Sequence, residues 1–247
     1  MLAKRVIVVL TFFEGVLYRT KKFKPDYRYT DNFIDNKLVD EIVIIDVSDS
    51  KKNRILFYNA IKKISKSCFV PITVGGYIND IEEITILQDC GADKILINTL
   101  IHENKEMVKK ITNKYGNQFV IGGIDFFFQD KIYKIFTKHA KKELSISIED
   151  CLKKFEECKI GEILIQSIDR DGSLRGYDND INNKIKENTN LPVIVCGGAG
   201  NWDHFIEAFN ISNVDGVCTN NIYHYSEKSI SLIKKTLNEK GIYVRTE

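Results

Sequence analysis

The chain has 247 residues, of which 43% are hydrophobic and 28% are charged, enough apolar material to bury one sizeable core. Its 36 basic and 34 acidic residues leave a net charge of only +2, which gives no electrostatic case for binding nucleic acid. The sequence has no apolar run that approaches the length of a membrane-spanning helix, so we expect no membrane association.

Short apolar runs alternate along the chain with longer amphipathic segments. The runs are almost continuously hydrophobic, as are strands buried on both faces, and they predict strands at 5–10, 41–46, 71–75, 94–98, 119–124, 162–168, 192–196 and 215–219. The segments between them predict helices that include 53–67, 81–90, 105–115, 148–159 and 228–240. Ser147 and Asp150 resemble a capping box at the start of the helix over 148–159.

These strand–helix units indicate a (β/α)₈ barrel, because eight of them fit one chain of this length. No low-complexity stretch and no linker rich in Pro, Gly or Ser interrupts the pattern, so we expect a single domain over 1–247. The opening MLAKRVIVVLTFF resembles a secretory leader, with basic residues before an apolar stretch. It lacks a small-x-small cleavage motif and a similar stretch recurs at 119–124, so we predict a strand there.

The cysteines indicate a reducing, cytoplasmic location, and we expect no metal ion and no cofactor. They form no C-x-x-C pair and no spacing with histidine that is typical of a metal site; the six are Cys68, Cys90, Cys151, Cys158, Cys196 and Cys218. The histidines fall outside the predicted strands and are predicted as helix or loop residues rather than ligands; they are His102, His139, His204 and His224.

An internal repeat supports the barrel. A separation of 122 residues carries one Gly-Gly pair onto another, and it carries three polar residues onto residues of the same type: Gly75-Gly76 onto Gly197-Gly198, Asp49 onto Asp171, Asp93 onto Asp215, and Asn98 onto Asn220. Thr11, after the first strand, aligns with Asp125, after the fifth, across a shorter distance. The repeat predicts two half-barrels related by a pseudo-twofold axis.

Catalysis is expected at the C-terminal strand ends, where such barrels place their active sites. Asp125 is the predicted acid–base group, since burial raises the pKa of a carboxyl; a structural or helix-capping aspartate is the alternative. A Gly-Gly pair lets the backbone approach an anion closely, so two pairs on opposite sides predict a long substrate with a phosphate at each end. An ordinary tight turn is the alternative for each pair.

A second group of residues lies at the opposite end of the predicted barrel. Four strands begin with a charged residue, two basic and two acidic: Arg5, Glu41, Lys94 and Glu162. Charged residues commonly flank strands, so each alone says little. Together they predict a neutral, salt-bridged ring that closes the barrel base, either as a plug or as a gate through which something small passes.

A series of stretches stands in the register of one known family: MLAKRVI, DEIVIID, ITVGG, GADKILIN, GEILIQSIDRDGSLRGYD, LPVIVCGGAG, HFIEAF and GIYVR. Along nearly its whole length the chain resembles the cyclase subunit of imidazole glycerol phosphate synthase. The resemblance implies a barrel that receives ammonia from a separate glutaminase subunit on its N-terminal face. It also implies that the four strand-opening charges form the ammonia gate and that a bisphosphorylated substrate is cleaved and cyclised.

The site residues that we predict on this basis are two catalytic positions, Asp125 and Thr11, and a larger substrate-binding group. The group binds phosphate or other parts of the substrate and comprises Arg19, Asp46, Gly75, Gly76, Asn98, Thr99, Asp171, Gly172, Gly197, Gly198, Asn220 and Asn221. Thr11 stands where the family has its first catalytic aspartate, and a hydroxyl is not a carboxylate base. Tyr77 replaces a third glycine, Cys196 a serine, and Asn220-Asn221 small residues, so the departures cluster on the substrate side.

The loop LYRTKKFKPDYRYTDN at 17–32 resembles the first loop of a branch of paralogues in bacterial surface-sugar pathways, which also lack the acid and have an apolar residue at the position of Thr11. These paralogues accompany a glutaminase and an ATP-dependent amidotransferase. We therefore predict an ammonia-channelling synthase subunit that pairs with a glutaminase and supplies ammonia for sugar amidation, with that amidotransferase as a further partner. One alternative is the histidine-pathway cyclase itself, with Glu14 or another group replacing the acid. Others are a non-catalytic subunit that activates the glutaminase and, ranked last, a related sugar isomerase.

Overall fold

The computed structural model describes residues 3–28, 39–220 and 230–246. In these ranges eight parallel strands close into a barrel with helices between them, which confirms the predicted (β/α)₈ architecture. With strands numbered in chain order, the barrel is formed by β1 (Arg5–Phe13), β4 (Glu41–Asp46), β5 (Ile72–Gly75), β6 (Lys94–Ile97), β7 (Val120–Gln129), β10 (Glu162–Ser167), β11 (Val193–Cys196) and β12 (Gly216–Thr219). Strand β1 pairs with β12, and β7 pairs with β10, so the sheet closes on itself.

Helices follow the strands around the outside of the barrel. Those described are α1 (Arg54–Ser65), α2 (Ile81–Asp89), α3 (Thr99–Glu103), α4 (Lys105–Tyr115), α5 (Ile148–Glu157), α6 (Asn179–Glu187), α7 (Asp203–Ser212) and α8 (Ile230–Glu239). The predicted cap of α5 is confirmed, since Ser147 Oγ accepts a hydrogen bond from the Asp150 amide at 3.0 Å. Within the described ranges, no helix combines the length and apolar character needed to cross a bilayer.

Two antiparallel hairpins, which the apolar pattern did not predict, extend the barrel at its C-terminal end. The first hairpin continues β1 into β2 (Val16–Lys21) and β3 (Lys24–Arg28). The second continues β7 into β8 (Ile132–Thr137) and β9 (Lys142–Leu144). Both follow the first strand of a half-barrel, so the hairpins obey the repeat. They place extra chain around the mouth of the barrel.

The apolar side chains form two separate layers, as alternation along buried strands requires. A large layer lies between the strands and the helices. A smaller one, which we call the lumen cluster, fills the barrel interior and consists of Ile7, Val9, Val43, Ile45, Leu96, Ile121, Leu164, Ile194, Cys196 and Cys218. The lumen cluster separates the base of the barrel from its mouth.

The half-barrel repeat is present, but its register differs by one residue from the predicted one. Strands β4 and β10 begin at 41 and 162, and β5 and β11 begin at 72 and 193, which is a shift of 121 in both cases. Gly76-Tyr77 therefore corresponds to Gly197-Gly198, and the prediction that Gly75-Gly76 does so is wrong. The shift of 122 holds at β6 and β12, which begin at 94 and 216; Asp93 and Asp215 precede these strands and an asparagine follows each.

Candidate active site

An open cavity of about 430 Å³ lies at the C-terminal end of the barrel. Thr11 and Asp125 both line it, as their positions after the first strand of each half predict. They are equivalent in the fold, because Thr11 pairs with Ile45 on β4 and Asp125 pairs with Gln166 on β10. The cavity is thus bordered by one hydroxyl and one carboxylate at matching places.

Asp125 has the electrostatic environment of an acid–base group. Burial raises the pKa of its carboxyl from 3.8 to about 7, and the hydrogen bond from Asn98 opposes that shift. Asn98 Nδ2 donates to Asp125 Oδ2 at 2.8 Å and to the Phe136 carbonyl at 3.1 Å, which fixes the carboxylate toward the cavity. A pKa near 7 lets this group both accept and donate a proton at neutral pH.

Thr11 has a different role in the geometry. Its hydroxyl donates to the Tyr18 carbonyl at 2.5 Å and accepts from Asn220 Nδ2 at 3.4 Å, so its proton is already committed. The hydroxyl is therefore a link between β1, its hairpin and the end of β12. Glu14, considered as a substitute acid, is exposed, has φ of 50° and does not line the cavity.

The substrate-binding residues predicted in the first half divide into two groups. Gly76, Asn98 and Thr99 line the cavity. Asn98 and Thr99 contact the second hairpin, since Thr99 Oγ1 accepts a hydrogen bond from the Lys138 amide at 3.2 Å. Gly75 does not line the cavity; a Cβ there would lie 3.2 Å from Leu96 Cβ, so this glycine serves strand packing.

Asp46 is also not a cavity residue, which corrects its assignment as a substrate ligand. Only 2% of it is exposed, and its carboxylate accepts a hydrogen bond from Arg54 at 2.7 Å. Arg54 also contacts Glu83 at 2.7 Å and donates to the Gly76 carbonyl at 2.8 Å. We call Asp46, Arg54 and Glu83 the buried ion cluster. Because buried carboxylates must be paired, Asp46 and Glu83 hold Arg54 in place. The bond from Arg54 to the Gly76 carbonyl then fixes the turn after β5.

The second half presents a much smaller space, about 20 Å³, enough for roughly one water molecule. The predicted substrate residues that line it are Asp171, Gly172, Gly197, Gly198 and Asn220. The first hairpin packs on this side, where the Phe23 amide donates to Asp171 Oδ2 at 2.9 Å and the Lys22 amide donates to the Asp171 carbonyl at 3.2 Å. Asp171 thereby anchors the hairpin.

Two further predicted residues are not brought to either space. Arg19 forms an ion pair with Asp26 on the neighbouring strand of its hairpin and lies 5.8 Å from the Tyr27 ring centroid. It lines neither cavity, so the prediction of Arg19 as a substrate ligand finds no support in the geometry. Asn221 lies outside the described residues.

The four charges at the strand starts form a ring at the barrel base. Arg5 contacts Glu41 at 2.6 Å and also pairs with Glu162. Lys94 completes the ring at 3.3 Å from Glu41 and 3.6 Å from Glu162. Both glutamates are buried, with side-chain exposures of 6% and 8%. The ring's geometry is as predicted, and the lumen cluster lies between it and the cavity.

Several cavity residues were missed by reasoning from the sequence. Gln166, Lys138 and Lys141 line the cavity, and so does His139 from the turn between β8 and β9. Tyr77 was noted only as a departure from glycine, yet it borders the same space. The shift of 121 between strand starts, had it been used, would have aligned Tyr77 with Gly198 and marked it as a change in the site. Among the described residues no group of three or more potential ligands could hold a metal ion.

Comparisons with known proteins bear on this arrangement. The model of a family described as "Histidine biosynthesis protein" matches residues 7–229. The chain belongs to this family. The HisF subunit of imidazole glycerol phosphate synthase from Pelodictyon phaeoclathratiforme is 35% identical over 250 residues, covering 99% of this chain and all of that protein. Those from Natranaerobius thermophilus and Pyrococcus furiosus are 33% and 32% identical, covering 99% and 100% of this chain and the whole of each relative.

The family match runs from residue 7 to residue 229, so it includes the residues that line the cavity and three of the four ring residues, whereas Arg5 precedes it. Residues at the mouth differ in kind between the two halves of this member: Thr11 opposite Asp125, and Tyr77 opposite Gly198. This member therefore has unlike residues at the equivalent positions of its two half-barrels.

Proposed function

We propose that the chain is the synthase subunit of a glutamine-dependent enzyme, which takes ammonia from a glutaminase at the base of the barrel and uses it at the cavity. The observation that supports this most is the placement of the ring and of Asp125 at opposite ends of one lumen. An enzyme that used only dissolved ammonium would not need a ring of charges at the base. A glutaminase docked on that face would release its product directly at the ring.

Thr73 offers a polar group between the two ends of the lumen. Ile72 and Val74 of β5 belong to the outer layer, so Thr73 between them faces the lumen. Thr73 is fully buried, and its hydroxyl has no hydrogen-bond partner among the described residues. An unpaired buried hydroxyl is costly and calls for a function. Here it provides a hydrogen bond to an ammonia molecule passing between apolar side chains.

At the cavity, Asp125 supplies the proton transfer. When the ammonia nitrogen attacks an electrophilic carbon, it gains positive charge and must lose a proton. The Asp125 carboxylate, with its pKa near 7, accepts that proton and can return it to the departing oxygen. Asn98 keeps the carboxylate oriented during both steps. This chemistry needs no second carboxylate at Thr11.

Two acceptors are supported by different observations. The names of the relatives favour imidazole glycerol phosphate synthesis, since they match over the full chain. The committed hydroxyl of Thr11 favours another acceptor, which we propose to be a sugar in surface-polysaccharide or glycan biosynthesis, with an ATP-dependent amidotransferase as a further partner. The names fit the first acceptor at least as well, so the choice depends on a direct assay with both acceptors.

The docking part of the proposal is tested by co-purification with a candidate glutaminase subunit, followed by footprinting. Protection should cover the ring end of the barrel, around Arg5 and the loops that precede β4, β6 and β10. Protection confined to the two hairpins at the mouth would contradict the proposal. A complex that hydrolyses glutamine yet transfers no nitrogen to either acceptor would instead support the alternative of a subunit that only activates the glutaminase.

A further inference from the structure

Tyr77 and Gly198 occupy equivalent places in the two halves of the barrel, each after a glycine with φ of 95°. Gly198 has φ of 105°, and Tyr77 has φ of 56°, in the left-handed region that favours glycine. A bulky residue is retained there only when its surroundings enforce the conformation, and such residues concentrate at functional sites. Where the second half has only the backbone of Gly198, the first half thus presents the Tyr77 side chain to the cavity.

The Tyr77 side chain is fixed on two sides. Its hydroxyl donates to the Ser48 carbonyl at 2.5 Å, and its ring lies 5.6 Å from the His139 ring at an angle of 48°. His139 is itself in the left-handed region, with φ of 54°. Two residues with unfavourable backbones, from different halves of the chain, therefore meet to form one aromatic wall of the cavity. We call this pair the aromatic wall.

The charges beside the aromatic wall are compensated. Lys138 pairs with Glu103 at 2.8 Å, and Lys141 pairs with Asp49; all four residues line the cavity. Burial lowers the pKa of His139 below its usual value, so its imidazole is neutral at pH 7. Among the described residues that line the cavity, each lysine already has an acid partner. A phosphate dianion would have to share each of these lysines with a carboxylate of the same sign of charge.

We propose that the aromatic wall binds the face of a neutral sugar ring, at the place where the glycine pair predicts a phosphate. The C–H face of a sugar packs on an aromatic ring, and the neighbouring carboxylates and Asn98 can take its hydroxyls. The first half has the room for such a ring, since the second half leaves space for only about one water. The inference rests on the proposed sugar acceptor, and it places that sugar at the end of the cavity beside Tyr77 and His139.

The test uses the full chain without glutaminase and two probes, N-acetylglucosamine and inorganic phosphate. Saturation-transfer NMR reports contact with the sugar, and the His139 imidazole signals report which probe reaches the wall. Glycine suits the backbone conformation at position 77, so Tyr77→Gly should weaken binding of N-acetylglucosamine about two- to tenfold and strengthen binding of phosphate. Tyr243→Ala, at a tyrosine that is 61% exposed and outside the cavity, is the matched control and should change neither.

Tyr77→Phe keeps the ring but removes the bond to Ser48, so it should keep most of the sugar contact and separates loss of the ring from loss of that bond. The tighter phosphate binding expected of Tyr77→Gly shows that this variant is folded. Phosphate that shifts the His139 signals of the wild type more than the sugar does would overturn the inference, as would unchanged sugar contact in Tyr77→Gly. These results do not depend on ammonia transfer. A chain that binds sugar but does not couple to glutaminase would sink the proposed function alone.

Discussion

The side-chain amide of Asn98 joins Asp125 to the carbonyl of Phe136, at 2.8 Å and 3.1 Å. Phe136 is the cross-strand neighbour of Asp125 in the second hairpin. One amide therefore fixes the acid–base candidate and the hairpin that covers it. The matching asparagine of the other half, Asn220, donates to the Thr11 hydroxyl instead. Both halves therefore have an asparagine amide as donor, but its acceptor is a carboxylate in one half and a hydroxyl in the other.

Asp125→Asn should abolish proton transfer and stabilise the fold. The folded pKa of about 7 lies above the ordinary 3.8, so stability falls as the pH rises from about 4 to 7. Removing the carboxyl removes this loss, and we expect a gain on the order of 4 kcal/mol at pH 8 and about 2 kcal/mol at pH 5. Activity should fall by about 10²–10⁴. Urea unfolding at both pH values checks the first expectation, and equal gains would contradict it.

Thr11→Ala should leave any ammonia-dependent activity within a few-fold of the wild type, whereas Asp125→Ala should not. The reason is that the Thr11 hydroxyl already donates to the Tyr18 carbonyl and has no proton to exchange. Its loss should cost about 1 kcal/mol of stability through the missing hydrogen bond. For the same reason the wild-type chain should not restore growth without histidine to a strain that lacks the authentic cyclase. Robust growth would show that one acid suffices.

Arg5→Ala tests whether the ring is a passage or a brace. Breaking one member of a buried pair can cost about 3–5 kcal/mol, against under about 1 for an exposed pair such as Lys184–Glu149. If the ring is a gate, the variant folds and binds glutaminase, but more glutamate is released than product formed. Exogenous ammonium entering at the mouth should still give wild-type yield.

Lys184→Ala is the control for the ring variant and should change neither the melting temperature nor the ratio of glutamate to product. A large fall in melting temperature for Arg5→Ala with an unchanged ratio would make the ring structural only.

Arg54→Leu should cost about 3–5 kcal/mol at pH 7, because Asp46 and Glu83 would stay buried without a cation. Burial alone raises the pKa of Glu83, but Arg54 and its other partners outweigh burial, so the pKa lies below 4.5. The stability that this provides is present above the unfolded pKa and is lost as the pH falls through the folded pKa. The deficit should therefore shrink below about pH 4, as denaturant unfolding at pH 4 and 7 would show.

Lys51→Ala removes a more exposed partner of Glu83, at 3.1 Å, and should cost under about 1 kcal/mol. A deficit for Arg54→Leu that does not vary with pH would mean that lost packing, not unpaired charge, causes it.

The barrel strands could be predicted because both of their faces are buried, which leaves a long apolar run in the sequence. The first hairpin could not, since β3 is exposed along its whole length and pairs with β2, and the turn between them is held by Asp171. A local pattern contains no trace of such distant contacts. Asp125 was found because an isolated carboxyl followed an apolar run.

Asp46 follows an apolar run in the same way, yet its carboxylate faces Arg54 instead of the cavity. Sequence position alone does not tell whether such a carboxylate faces the cavity or a buried cation, because its orientation depends on a partner distant in the sequence, Asn98 for Asp125 and Arg54 for Asp46. His139 was predicted as a helix or loop residue because it lies outside the strands. It does lie in a turn, but the left-handed conformation of that turn places it at the cavity. Turn conformation of that kind has no simple signature without glycine.

The anchoring of the first hairpin on Asp171 has a consequence for the order of synthesis. Phe23 and its partner are 148 residues apart, so at ribosomal speeds of about 5–20 residues per second the hairpin emerges roughly 7–30 s before its anchor. Throughout that interval the hairpin of a nascent chain lacks its anchor at the mouth. Protease cleavage between Lys21 and Lys24 should persist in chains arrested before Asp171 and cease in chains arrested well beyond it. The mouth of the barrel is therefore completed only after Asp171 has left the ribosome, long after the hairpin that it anchors.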